Sequence, residues 1–327
     1  MGKRIVLILI FLVSFYVFVK EDIMAMNKKD ILNIEMIEDK KLDIAYGNIS
    51  EAQKLDIYYP KIKKEKYPVI VFIHGGAWIS GDKRENFSPA ILRALKEGYS
   101  VVSINYRLSG ESPFPAAIED TKTAIRFIRK NSEKYSLDKE CIIVFGRSSG
   151  ANLAALIGTT SGTDKFDNYE LGNTGVSSEV KGVVAWFPPI NLLTMDKELK
   201  NLDLKAQLRG APTEKKNEIV SEEVHGAADS PASLYMGSKL SEVPELVKEN
   251  DPTTYISEKL PHFFIEHGTA DNVVPYTQSV KFAEELKKKS KNKVELELVI
   301  GAKHGGPEFM TDENLDRVFE FIKSITD

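Results

Sequence analysis

The chain has 327 residues, 42% hydrophobic and 28% charged, the composition of an ordinary globular protein and enough for one large α/β domain with an insertion, or for two domains. The 44 Lys and Arg against 48 Asp and Glu leave a net charge of −4, and no basic stripe is interleaved with aromatics, so no nucleic-acid partner is expected. The single cysteine, Cys141, excludes an intrachain disulfide; it falls in a predicted strand and reads as a buried structural thiol.

In chain order, residues 1–4 (Met-Gly-Lys-Arg) precede an apolar run over 5–19. A short basic region and then about fifteen apolar residues is the layout of a secretory signal, shorter than the roughly twenty residues a spanning helix prefers. The expectation is export, with residues 1–26 either a cleaved signal peptide or a retained N-terminal membrane anchor. Ala25 is the best small residue for cleavage, with Ile23 where a second small one is wanted, and no cysteine follows for lipid attachment. Residues 27–41 are charged and read as a linker ahead of a domain over 42–327.

Alternating stretches at 42–46 and 55–59 predict antiparallel edge strands. Residues 68–73 are near-continuously apolar, the mark of a strand buried on both faces, and run into His74-Gly75-Gly76-Ala77-Trp78. A helix over 87–97 with Gly98 as its cap, a buried strand over 99–105, and a helix over 116–134 opening at Pro115 follow. Then come strand 141–145, helix 151–157, strand 180–187, strand 263–266, helix 277–289, strand 294–300 and helix 314–326. Strands alternating with helices imply a mostly parallel central sheet flanked by helices on both faces. Residues 190–256 break the rhythm: polar, helix-prone, and punctuated by Pro212, Pro231, Pro244 and Pro252. They read as a helical cap inserted after a core strand, near the site.

The chemistry centres on Gly146-Arg147-Ser148-Ser149-Gly150, a G-x-S-x-G pattern between a predicted strand and a predicted helix. The glycines suit a crowded, strained turn that would present the Ser148 hydroxyl at the carboxyl end of the strand. Such a hydroxyl needs a base and an orienter for that base. In the order Ser, Asp/Glu, His, each after a strand, these are Asp271, behind strand 263–266, and His304, behind strand 294–300. Glu266 is the alternative acid but falls at the end of its strand; Asp251 lies too far upstream. Of the other histidines, His74 precedes a glycine loop, His225 falls in the insertion, His262 opens a strand and His267 reads as a loop brace. Developing negative charge needs backbone donors, assigned to the amides of Gly76, Ala77 and Ser149, with Gly75 supplying loop geometry. No metal or cofactor is expected: H-E-x-x-H, paired-cysteine, P-loop and G-x-G-x-x-G patterns are all missing.

Taken together, residues 69–83 (with His-Gly-Gly-Ala-Trp and Ser-Gly-Asp-Lys), 103–108, 114–120, the elbow, 267–275 and 304–309 resemble the α/β-hydrolase serine carboxylesterases, in particular bacterial hormone-sensitive-lipase-like and feruloyl/acetyl-xylan esterases. The resemblance implies an α/β-hydrolase fold and hydrolysis of short acyl esters through a covalent acyl-enzyme, on a small-molecule or carbohydrate ester and without a cofactor. The chain departs from the family pattern at Ala77, where a third glycine is common, at Ser149-Gly150-Ala151 in place of Ala-Gly-Gly, and at Arg147 beside the serine. Two rival readings are an amide hydrolase similar to arylformamidases, which share the His-Gly-Gly-x-Trp loop, and a non-catalytic binding module on the same fold, for which the triad or the oxyanion loop should be broken.

Overall fold

The computed structural model describes residues 37–84, 89–202 and 223–326. The predicted export segment 1–26, most of the linker and residues 203–222 of the insertion lie outside them. Among the described residues no helix is long and apolar enough to cross a membrane.

Eight strands form one sheet: β1 (Lys40–Ala45), β2 (Lys54–Tyr58), β3 (Tyr67–Ile73), β4 (Ser100–Ile104), β5 (Leu137–Arg147), β6 (Gly182–Trp186), β7 (His262–Gly268) and β8 (Val294–Val299), in the order β1-β2-β4-β3-β5-β6-β7-β8. β1 and β2 run antiparallel to their neighbours, and every pair from β4 to β8 is parallel. Successive side chains on a strand point to opposite faces, and here both faces are covered. Val69, Val71 and Ile73 of β3, Ile142 and Val144 of β5, and Val183 and Ala185 of β6 pack with α2 (Ala116–Lys130), α3 (Ser149–Thr159) and α7 (Thr277–Lys289). Ile70, Phe72, Ile143, Phe145, Val184 and Trp186 face the other way, onto α1 (Pro89–Lys96) and α8 (Asp312–Thr326). That double burial explains why these strands read as continuous apolar runs.

Two boundaries near the site differ from the sequence reading. β5 reaches Arg147 and α3 starts at Ser149 rather than at 151, so the turn between them is the single residue Ser148. The next difference is in α2, which stops at Lys130 rather than 134. There Asn131 returns its side-chain amide to the Phe127 carbonyl, 2.9 Å, a local bond of the kind with which Asn competes against helix continuation.

Between β6 and β7 the described residues carry three short helices, α4 (Met195–Asn201), α5 (Pro231–Met236) and α6 (Pro244–Glu249). α5 is short but fully capped. Ser230 accepts the Ser233 N–H, Pro231 occupies the first turn, and Gly237 closes the end in a left-handed conformation, φ 75°. The insertion is tied to the core at its base. Gln278 of α7 accepts the Ile190 and Asn191 amides, and Asn152 of α3 donates to the Pro189 carbonyl.

Candidate active site

The turn at Ser148 is built by steric exclusion. Ser148 has φ 53° and ψ −123°, a positive-φ conformation outside the left-handed helical well, of the sparsely populated kind that costs a non-glycine residue on the order of 1–3 kcal/mol. A Cβ on Gly146 would fall on the Gly150 carbonyl, and one on Gly150 would fall on the carbonyl oxygens of Ile73 and His74. Glycine at both positions therefore lets α3 press against the end of β3. The Ser148 N–H donates to the Trp186 carbonyl, 2.9 Å, and its own carbonyl receives the first amides of α3. The turn is fixed to β6 on one side and to a helix N-terminus on the other.

The three side chains that the sequence reading singled out come together. The His304 Nε2 lies 2.9 Å from the Ser148 Oγ, and its Nδ1 lies 2.7 Å from the Asp271 Oδ2. A carboxylate beside Nδ1 requires the proton there, which leaves Nε2 to accept from the serine hydroxyl. His304 is carried by the loop after β8, and its ring packs against the edge of Phe187, centroids 4.6 Å apart. Asp271 is fully buried; its Oδ1 accepts the amides of Val273 and Val274, at 2.8 and 2.9 Å. Burial alone would raise its pKa, but the charge of His304 and bonds from His267 and His304 hold the carboxyl well below the usual carboxylate range.

His267 braces that acid, as its place ahead of the acid loop suggested. Its Nε2–H points at the Asp271 Oδ2 (3.1 Å) and the Val274 carbonyl (2.9 Å), and its Nδ1 faces the Ser279 hydroxyl at 2.7 Å. The alternative acids are elsewhere. Asp251 caps the turn after α6, accepting from Thr253 N and Oγ1. Glu266 is buried on the α8 side of the sheet beside Asn314, where burial pushes its carboxyl up to about 8. Arg147 also turns to that side, its guanidinium 5.8 Å from the Phe72 ring centroid, and Cys141 is a buried thiol that burial pushes up to about 11.

The glycine loop after β3 lies against the elbow. Gly76, Ala77 and Trp78 have φ of 124°, 53° and 59°, three consecutive left-handed residues. The Gly76 carbonyl accepts from Ile79 and Ser80, and the Trp78 carbonyl from Ser109. Among the described residues, the amides of Gly76, Ala77 and Ser149 donate to no protein acceptor. The flanks of the loop are anchored by polar contacts that the sequence reading did not anticipate. The Tyr106 hydroxyl donates to the His74 carbonyl, and its ring stacks on the His74 imidazole at 4.4 Å. Burial pushes that imidazole down to about 4. Asp56, fully buried in β2, binds Arg84 at 2.6 Å and Lys83 at 3.6 Å, while Asn105 receives the Lys83 amide. These contacts join residues far apart in the chain, so no local pattern announces them. Among the described residues, no three His, Cys, Asp or Glu side chains converge as a metal-binding group.

This geometry can remove a proton from a serine hydroxyl, hold the resulting imidazolium against a buried anion, and offer backbone N–H groups to an oxyanion. Known proteins share its frame. Esterase LipC of Mycobacterium tuberculosis is 28% identical over 238 residues, which is 73% of this chain and 53% of that protein. The chain spans about half the length of the curated relatives it matches. A solved truncated form of a carbohydrate esterase from gut microbiota superposes with a TM-score of 0.76 at 29% identity, covering 89% of this chain and 98% of the other. A bifunctional GH43-CE protein of Bacteroides eggerthii superposes with a TM-score of 0.73 at 32% identity, covering 88% of this chain and 35% of the other. The BD-FAE family model matches residues 55–286, from β2 through α7 and so across the elbow, the glycine loop and the acid, and the chain belongs to this family of α/β-hydrolase fold.

Proposed function

We propose that this protein is a serine carboxylic ester hydrolase acting on short acyl esters, acylated carbohydrates among them. The observation that carries the reading is the continuous line Ser148 Oγ–His304–Asp271, at 2.9 and 2.7 Å, beside three uncommitted amides. In the proposed mechanism His304 Nε2 takes the Ser148 proton as Oγ attacks the ester carbonyl. The Gly76, Ala77 and Ser149 amides receive the negative charge of the tetrahedral intermediate. His304 then gives the proton to the departing alcohol, leaving an acyl-serine. Water, deprotonated by the same imidazole, attacks the acyl-serine and releases the acid. The relatives named as esterases, and the carbohydrate esterase among the solved structures, support both the bond type and the sugar-ester substrates. No observation favours an amide substrate or a binding-only role.

A panel of p-nitrophenyl acetate, butyrate and octanoate, acetylated xylo-oligosaccharides and an N-formyl aromatic amide tests this. Hydrolysis should favour the short esters, and Ser148→Ala should lower kcat/KM by about three to six orders of magnitude in a folded protein. A folded Ser148→Ala variant with wild-type turnover would remove the serine from the mechanism. Turnover of the formyl amide alone would assign the chain to amide chemistry. We further propose that the insertion over 190–256 selects among acyl chains, since Asn152 of α3, three residues beyond Ser149, donates to its Asn250 carbonyl, 3.4 Å. Export remains our reading of residues 1–26, supported by the basic-then-apolar order there. Fractionation of the native host should place the protein in the membrane or outside the cell.

A further inference from the structure

Within the left-handed run at Gly76, Ala77 and Trp78, the loop's own backbone ties only the Gly76 carbonyl, which accepts from the Ile79 and Ser80 amides. The polar anchors described above hold His74 on one side of it and Lys83 and Arg84 on the other. Between them, the Trp78 carbonyl is fixed by Ser109, and among the described residues the Trp78 indole meets one aromatic partner, Tyr235. The two rings lie parallel, 1° apart in tilt, with centroids 4.4 Å apart. Tyr235 belongs to α5 of the insertion, 157 residues further along the chain. It is itself gripped: Phe114 sets its ring edge-on at 5.8 Å, and the Phe114 amide donates to the Tyr235 carbonyl at 2.7 Å. Neither the Tyr235 hydroxyl nor the Trp78 indole N–H has a hydrogen-bond partner among the described residues. Flat aromatic contact therefore joins the pair, and a buried phenol without a partner is a cost rather than a tie.

We propose that Tyr235 is a positioning residue for the oxyanion loop: its ring, supplied by the insertion, clamps Trp78 so that the Gly76 and Ala77 amides face the reacting carbonyl at Ser148. The insertion would then contribute to the rate of the chemical step and not only to substrate choice. A donor displaced by an ångström loses transition-state stabilisation while ground-state binding barely changes.

This rests on the serine-hydrolase reading, and the test keeps the two apart. Tyr235→Leu removes the flat face, whereas Tyr235→Phe keeps it and deletes the unpartnered hydroxyl. With p-nitrophenyl acetate, Tyr235→Leu should lower kcat by about 10- to 100-fold with KM within about threefold of wild type. Its affinity for a short alkyl boronic acid, whose tetrahedral serine adduct fills the oxyanion site, should fall by the same factor as kcat/KM. Tyr235→Phe should match wild type in all three measurements. Should Tyr235→Leu not accumulate as folded protein, Tyr235→Met, whose unbranched flexible chain fills irregular gaps without a flat face, takes its place. A folded Leu or Met variant with wild-type kcat, or one that changes KM alone, overturns the proposal. A Phe variant as impaired as the Leu variant also overturns it, because the hydroxyl would then be the working group. An active Ser148→Ala control would sink the underlying reading instead.

Discussion

At the scale of single residues, the site depends on which protons are already committed. Asp271 is ionised through the whole neutral range because its two histidine neighbours and two backbone amides hold its carboxyl low. In the proposed mechanism the His304 imidazole works only when neutral, so the ascending limb of a pH–rate profile should report that ring, with kcat/KM rising as it loses its proton. Asp271→Asn should leave KM within a few-fold and lower kcat by about 10³- to 10⁴-fold, because an amide in that place favours the wrong tautomer. Glu266→Gln, altered on the other side of the sheet, should keep the wild-type profile. Measuring kcat/KM of both variants from pH 5 to 9 settles the acid, and the reverse ranking would transfer the role to Glu266. The sequence located Ser148, Asp271 and His304 because each follows a strand and lies within a dense local motif. It gave no sign of Tyr235 on Trp78 or of Asp56 under Arg84, because those pairs meet only after strands and insertion have packed.

At the scale of elements, β5, the single-residue turn and α3 form one rigid unit whose fit is set by glycine. The strand and helix were legible as an apolar β-branched run and an Ala/Leu-rich stretch, yet their ends were not. The helix begins at Ser149 because the Ser148 carbonyl already accepts from Ala151 and Asn152, a consequence of backbone geometry that side-chain periodicity does not report. The fit has a testable price. Gly150→Ala puts a methyl group on the carbonyl oxygens of Ile73 and His74. Forcing α3 away from β3 should destabilise the protein by about 1–3 kcal/mol or more and shift the Ser149 amide. Thermal denaturation should show a drop of several degrees, together with a fall in kcat. Gly110→Ala, where a Cβ would meet nothing within 4 Å, is the matched control and should leave both unchanged. Equal melting temperatures for the two variants would mean that the elbow accommodates the methyl and that the tight approach is not structurally required.

At the scale of the whole molecule, two buried titratable groups, His74 and Glu266, contribute to the pH dependence of stability in opposite senses. His74 is held neutral, its pKa pushed down to about 4 by burial. An unfolded histidine takes a proton below about 6.5, so this group's contribution is complete above that value and is lost as pH falls toward 4. Glu266 behaves in the opposite sense. Burial pushes it up to about 8, and the neighbouring Asn314 amide is engaged with the Phe309 carbonyl, leaving the carboxyl oxygens without a good hydrogen bond. Its contribution is complete below the ordinary value of 4.5 and is lost as pH rises from there through about 8. Between about 4.5 and 6.5 these two contributions oppose one another, and above 6.5 that of the glutamate continues without the histidine. Each unit of displacement is worth about 1.4 kcal/mol, so the alkaline loss is on the order of a few kcal/mol. Glu266→Gln has no proton to lose. Its melting temperature should stay close to that of wild type at pH 4.5 and exceed it by a margin that widens through pH 8 and then levels off. Melting curves of the two proteins at pH 4.5, 6.5, 8 and 9 decide the matter. Parallel dependence on pH would mean that the folded protein binds Glu266 as a carboxylate, with its charge met by a group that reaches the α8 side of the sheet.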